Sequence, residues 1–204
     1  MRTTYDDNKQ HILDCGRPLI ESKGFSAVGL AEILQAAAIP KGSFYHYFAS
    51  KENFGRALLD RYFLDYGQRL DDLLRPSDMP AFERLMRYWS QWLKSQAGDS
   101  IDAKCLVVKL GAEVADLSES MRESLRQGTD EVIRRLRDCI VLGQQEGSVS
   151  DQIEAQQSAT MLYQMWLGAS LLSKLRLDDS ALQDALTVTR RVLAPKPDSE
   201  SLPA

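Results

Sequence analysis

The chain is poor in the residues that would make it a metal- or thiol-dependent enzyme. With two histidines in 204 residues, His11 and His46, it cannot build a multi-histidine metal centre. Its three cysteines, Cys15, Cys105 and Cys139, are an odd number without CxxC spacing, so free thiols are expected rather than a zinc site or a disulfide framework. Neither GxGxxG nor GxSxG occurs, and no cofactor is expected. No apolar run approaches the roughly 20 residues that span a bilayer, and residues 1–10 are polar and acidic, unlike a signal peptide. The expectation is a soluble cytoplasmic protein with no membrane partner. A net charge of −4 excludes a general attraction to polyanions. The balance is nonetheless uneven, since residues 1–51 carry six Lys/Arg against five Asp/Glu while the remainder is net −5.

What is present is a globular balance of 44% hydrophobic and 26% charged residues, enough to bury a core. Proline is absent from residues 81–194, and Pro40, Pro76, Pro80, Pro195 and Pro197 mark helix boundaries. No sustained alternation marks a strand and no repeat is visible, so the fold class expected is all-α. A Trp-bearing helix should run from about Ala81 to Gln96, and another should begin near Ala103, opened by Asp102. Asp116 with Glu119, and Asp151 with Glu154, have the spacing of capping boxes and should start the next two helices, the first ending at Gly147. The second carries Ala155, Ala159, Leu162, Trp166, Ala169 and Ser173 on successive turns. A last helix should span Asp179 to Leu193, followed by a flexible tail over residues 195–204.

The N-terminal segment is more telling. Ile12, Leu13, Leu19 and Ile20 give one face of a first helix that should stop at Gly24. Ser26 should cap a short second helix over residues 27–36, and Pro40 should open a third, from Lys41 to Phe48. Ser50 should cap a fourth that reaches about Leu74. Two short helices joined by a tight turn and packed on a longer one form a helix-turn-helix, whose second member enters the DNA major groove. In that second member Phe44 and Phe48 stand four apart and should face the core. Lys41, Ser43, Tyr45 and His46 are then left for DNA, Gly42 for close backbone approach, and Tyr47 for either phosphate or packing on the fourth helix. Ser26 at the second helix start and Lys51 at the fourth complete the expected contacts, Lys51 acting with its helix terminus as a phosphate clamp.

Gly24-Phe25, Ala31-Glu32-Ile33, and above all Pro40-Lys41-Gly42-Ser43-Phe44-Tyr45-His46-Tyr47-Phe48 with Lys51-Glu52 resemble the signature of TetR-type bacterial transcriptional regulators across residues 7–60. The resemblance implies a homodimer with a DNA-binding domain over residues 1–50, packed on a linker helix over residues 51–74. It also implies a ligand-sensing and dimerising domain over residues 51–194, a palindromic operator, and an inducer. The sequence departs from the family at Val28-Gly29, where Thr or Ser is frequent. The stretches Cys105-Leu106-Val107-Val108-Lys109-Leu110, Glu113 to Ser118 and Trp166-Leu167-Gly168-Ala169 resemble the subgroup containing the repressor of N-ethylmaleimide reductase, whose members respond to reactive electrophiles.

That resemblance points to Cys105 as a sensing thiol. Placed near a helix N-terminus with Lys104 and Lys109 beside it, its thiolate should be more accessible than that of Cys15 or Cys139. Lys174 is a candidate partner as an amine at the end of the Trp166 helix. Trp89, Trp92, Tyr163 and Trp166 either line a cavity for a reversible small-molecule inducer or are plain core. A cysteine-dependent enzyme and a helical adaptor without DNA binding are the other readings. The first lacks a histidine near Cys105 in sequence, and the second leaves Lys41-Gly42-Ser43 and Lys51 unexplained.

Overall fold

The computed structural model describes residues 4–97 and 105–195, and the described residues form nine α-helices and no strand. They are α1 (Thr4–Lys23), α2 (Leu30–Ala36), α3 (Lys41–Tyr47), α4 (Lys51–Leu74), α5 (Ala81–Ala97), α6 (Leu106–Leu117), α7 (Glu119–Gln145), α8 (Ala155–Arg176) and α9 (Ser180–Leu193). The helical segments expected from periodicity are all there, whereas several starts differ. Ser26 does not cap α2. Gly29 occupies the N-cap and Glu32 reaches back to its amide at 3.1 Å, while the hydroxyl and amide of Ser26 both bond the Glu113 carboxylate far along the chain. The helix after α6 is capped by Ser118, whose hydroxyl accepts the Met121 amide at 3.4 Å, rather than by Asp116. Glu154 itself caps α8, taking the amides of Gln156 and Gln157, so Asp151 lies outside that helix. Cys105 is the N-cap of α6. Asp102, Ala103, Lys104 and the tail over residues 196–204 lie outside the described residues.

The described residues divide into two compact units. The first takes in α1–α3, α4 as far as Tyr66, α6, and α7 as far as Thr129. Its core is built from Ile12, Ile20, Phe25, Val28, Ile33, Phe44, Phe54 and Leu59, closed by Leu106, Leu110, Val114 and Met121 from α6 and α7. Gly55 is required there, since a β-carbon would lie 2.5 Å from the Phe25 ring and 2.8 Å from Met121. The turn between α2 and α3 is a Schellman motif: the Ile39 amide donates to Leu34 O at 3.1 Å and the Ala38 amide to Gln35 O at 3.2 Å. Ala38 takes the left-handed conformation at φ 53° that this motif gives to glycine. For an L-residue that conformation costs about 1–2 kcal/mol. Ala38→Gly should therefore stabilise the protein by about 0.5–1 kcal/mol, a rise in Tm of about 1–4 °C at fixed protein concentration. A lower melting temperature for the variant would contradict this account of the turn.

The second unit holds the rest of α4 and α7 together with α5, α8 and α9. Trp89 and Trp166 are fully buried and stacked at 4.9 Å. Trp166 donates through Nε1 to Thr189 and Trp92 to Ser170, both at 2.9 Å, so these indoles satisfy their donors inside the core. Buried Arg84 holds the carbonyls of Leu74 and Met79 and thereby fixes the turn between α4 and α5. The face of α8 opposite the tryptophans is also apolar. Met161, Leu172 and Leu175 are exposed, Met165 is half-buried, and Gly168 between them meets open space. Residues 161, 165, 168, 172 and 175 repeat as one helical stripe without a partner among the described residues. The outward positions of α7 are instead occupied by ion pairs such as Glu119–Arg122, Glu123–Arg126 and Glu131–Arg134.

Candidate nucleic-acid interface

Pro40 caps α3 with extended backbone, and the Ser43 amide returns to its carbonyl at 3.0 Å. Phe44 and Phe48 are buried and meet the Phe54 ring of α4 at 5.8 and 5.2 Å, which fixes the rotation of α3. The opposite face carries Lys41, Gly42, Tyr45 and His46, all exposed, with Ser43 and Tyr47 half-buried at its margins. A β-carbon at Gly42 would meet nothing within 4 Å, so the backbone there is open to close approach. The Lys41 ammonium lies 5.9 Å from the Tyr45 ring, near enough for a cation–π contact in the absence of DNA. Tyr5 was not singled out from sequence. Its ring lies 4.8 Å from Tyr47 and 5.5 Å, edge-on, from His46. The sign available beforehand was the pairing of Tyr5 with Lys9 at helical spacing on one face of α1.

Ser26 and Lys51 stand on either side of one turn. Gly24 ends α1 at φ 93° and sends the chain into it. The Lys51 ammonium donates to the Phe25 carbonyl at 2.7 Å and lies 4.5 Å from the Phe25 ring centroid. Desolvation lowers its pKa, against the attraction of Glu113 and Glu32. At least one of its three donors is thus spent inside the protein, and its reach toward a phosphate is shorter than the sequence suggests. From α6, the Glu113 carboxylate accepts the amides of Phe25 at 3.1 Å and Ser26 at 2.5 Å. Burial works against that charge, but the hydrogen bonds from Ser26 and Phe25 outweigh it and hold the carboxyl below its usual range. One helical turn earlier Lys109 donates to Ser22 O at 3.0 Å. Cys105, Lys109 and Glu113 recur every fourth residue and share one face of α6. No local pattern around residue 26 could have revealed these contacts.

Cys105 is half-buried, and the Tyr62 hydroxyl lies 3.4 Å from the neighbouring Leu106 amide. Desolvation pushes the thiol up, outweighing the Val108 and Val107 amides and the Tyr62 hydroxyl, which favour the thiolate. This corrects the expectation of a readily ionised sulfur, because burial at the helix start prevails over the helix terminus and Lys109 is engaged with Ser22 O. Cys139 is buried and pushed up to about 11 by desolvation. Lys174 is exposed rather than desolvated and belongs to the second unit. Trp89, Trp92, Tyr163 and Trp166 come together, with Trp92 5.7 Å from Tyr163 and 6.0 Å from Trp166, and pack against one another. Among the described residues no cluster of His, Cys, Asp or Glu could hold a metal ion.

Two family models match the chain. "Bacterial regulatory proteins, tetR family" covers residues 12–58, which include the whole of α2 and α3, and "Tetracyclin repressor-like, C-terminal domain" covers residues 81–189. The chain is 39% identical over 191 residues to the HTH-type transcriptional repressor NemR of Escherichia coli (strain K12), covering 94% of this chain and 96% of that protein. It is 29% identical to the HTH-type transcriptional repressor DhaR of Mycobacterium sp. (strain GP1), over 95% of this chain and 96% of that one. The crystal structure of the reduced form of E. coli NemR superposes with a TM-score of 0.88 over 94% of this chain and 99% of that one. The structure of a putative TetR/AcrR-family regulator, 45% identical, gives 0.80 over 92% and 98%. A helix-turn-helix with a polar outer face on α3, followed by a helical C-terminal region and matched throughout to such regulators, makes the chain a DNA-binding transcriptional regulator belonging to the TetR family.

Proposed function

We propose that the protein is a homodimeric repressor that occupies a palindromic operator and leaves it when a soft electrophile or oxidant modifies Cys105. Residues 1–50 serve as the DNA-binding domain and residues 51–194 as the sensing and dimerising one. Lys41, Ser43, Tyr45 and His46 face the major groove, while Ser26, Tyr47 and Lys51 lie against the backbone and Gly42 permits close approach. The observation that carries the reading is the α6 stripe, with Cys105 at its first residue and Lys109 and Glu113 fastened to the α1–α2 turn further along. A bulky adduct at the start of that helix would strain the contacts that hold the turn. Two-fold symmetry places the operator half-sites about 34–36 Å apart, or a multiple of that.

With an α,β-unsaturated carbonyl such as a maleimide, sulfur bonds to the electron-poor carbon and the thiol proton ends on the neighbouring carbon, so no oxidant is needed. Since the thiol is raised, its reaction should go on quickening as pH rises through the ordinary thiol range instead of levelling there. Mass spectrometry of the Cys105 peptide after timed maleimide pulses measures this. The functional test follows release of the DNA upstream of the protein's own coding sequence. Cys105→Ser should keep that DNA under maleimide, and a Cys15/Cys139 double serine variant should lose it like the parent. Release from Cys105→Ser at the parental rate would sink covalent sensing.

A reversible inducer is the second reading, favoured by one observation. Trp89 Nε1 is buried and has no hydrogen-bond partner among the described residues, unlike the indoles of Trp92 and Trp166. A ligand that parts this packed cluster and brings an acceptor atom to Trp89 would satisfy it, and a change in tryptophan fluorescence on binding would report it.

A further inference from the structure

We propose a second DNA-backbone site beside the recognition helix: a groove in which Lys9 of α1 and Arg56 of α4 hold a phosphate flanking the bases that face Tyr45 and His46. The groove encloses about 320 Å³ and is lined by Lys9, Tyr47, Phe48, Asn53, Arg56 and Asp60, among others. It thus joins three helices of the first unit. Its floor is the Phe48 ring, with the Lys9 ammonium 5.7 Å from the centroid. The polar groups on its walls are two cations, the Asn53 amide, the Tyr47 hydroxyl and the Asp60 carboxylate, and all but the last are donors that phosphate oxygens take. The proposal rests on the chain's binding of DNA and extends its footprint to residues that nothing in the helix-turn-helix pattern marks.

Three observations make DNA the occupant. The groove is continuous with the α3 face, because Tyr47 lines it and Tyr5, one turn before Lys9 on the same side of α1, lies against both Tyr47 and His46. Its charge has the right sign: Lys9 and Arg56 oppose one carboxylate, Asp60. That carboxylate accepts the Ser124 hydroxyl at 2.6 Å and meets Arg56 loosely, at 3.6 Å. Along α4 it lies about 10 Å past Asn53, at the far end from α3. Lys51, which the sequence favoured as the backbone cation at this junction, is occupied with Phe25 O, whereas the Arg56 side chain is 56% exposed.

Backbone contacts are read through salt. Fluorescence anisotropy with a 30-base-pair duplex of random sequence, and with the duplex upstream of the protein's own coding sequence, would be measured at several salt concentrations. Lys9→Ala and Arg56→Ala should each lower affinity by a similar factor on both duplexes and flatten the slope of log K against log salt by about 1 per bound protomer. Lys9→Arg and Arg56→Lys should keep the parental slope. Lys41→Ala, by contrast, should narrow the difference between the two duplexes. Parental slope and affinity in both alanine variants, with Lys41→Ala behaving as described, would overturn the groove alone. Failure of the parent protein to bind either duplex would overturn the groove and the DNA-binding reading together. Arg56 is exposed and Lys9 half-buried, and circular dichroism of each variant should match the parent; a loss of helicity accompanying the loss of affinity would count against the site.

Discussion

Glu113→Ala should weaken operator binding about ten- to hundredfold although the residue is on α6 and outside the recognition helix. The carboxylate accepts the amides of Phe25 and Ser26, and bonds to a charged group contribute about 1.5–3 kcal/mol, with solvent access holding the pair toward the lower end. Removing it leaves two amides of the α1–α2 turn without their acceptor, and the turn that seats α2 loosens. Glu113→Gln keeps one carbonyl acceptor and should fall between the two. The sign of the pH dependence follows from the lowered carboxyl. The latch is fully present above the ordinary value near 4.5 and is lost as pH falls through the lower folded value, an acid limb that Glu113→Gln should lack. Anisotropy titration alongside sedimentation, to show that the variant stays dimeric, makes the measurement. An alanine variant with parental affinity would show that the latch is indifferent to DNA.

The second large effect is expected at the exposed stripe of α8. Leu172→Glu should give monomers in sedimentation and cost the operator affinity by a factor of about 10² to 10⁴, the advantage that linking two half-site readers confers. Leu172 is 41% exposed in the protomer and belongs to the exposed stripe rather than to the buried face of α8. Ala159 is different. It is fully buried inside its own protomer, and Gly143, where a β-carbon would lie 2.3 Å from Val149, is likewise an internal contact. A charge at Ala159 would therefore break the protomer before it reported on assembly. A dimeric Leu172→Glu protein would move the interface off α8.

These two predictions also mark where sequence reading was strong and where it ran short. Spacing alone placed Phe44 and Phe48 in the core and Lys41, Tyr45 and His46 outside, because a seven-residue helix between a proline cap and a buried ring has one way to turn. The small-and-large alternation of Ala155, Ala159, Leu162 and Trp166 was legible as a helix contact, but it assigns Ala159 as readily to a subunit interface as to the protomer core in which it lies. The opposite, exposed stripe was not, since a helix apolar on both sides does not declare which side meets its own core. The start of α2 was misplaced for a related reason. Ser26 is a good local cap, but its hydroxyl and amide are both claimed by a residue 87 positions away, and contacts of that range leave no periodic trace. Cys105 shows the same limit in electrostatics: a helix terminus can be read from sequence, while the burial that outweighs it cannot.

The manner in which the first core is closed bears on how this regulator is made and how it can be rebuilt. Phe25, Val28 and Phe54 share their cluster with Leu106, Leu110, Val114, Met121 and Leu125. During synthesis the reader of DNA therefore cannot finish folding when its own helices emerge; it must wait until residue 125 has left the ribosome. The same interleaving governs grafting. A chimera joined at residue 50, where the motif ends, would lose Phe54, set a foreign partner against Phe25 and Phe44 and forfeit the Glu113 latch, whereas one that carries the start of α4, α6 and the first turns of α7 along with the motif would inherit a complete core.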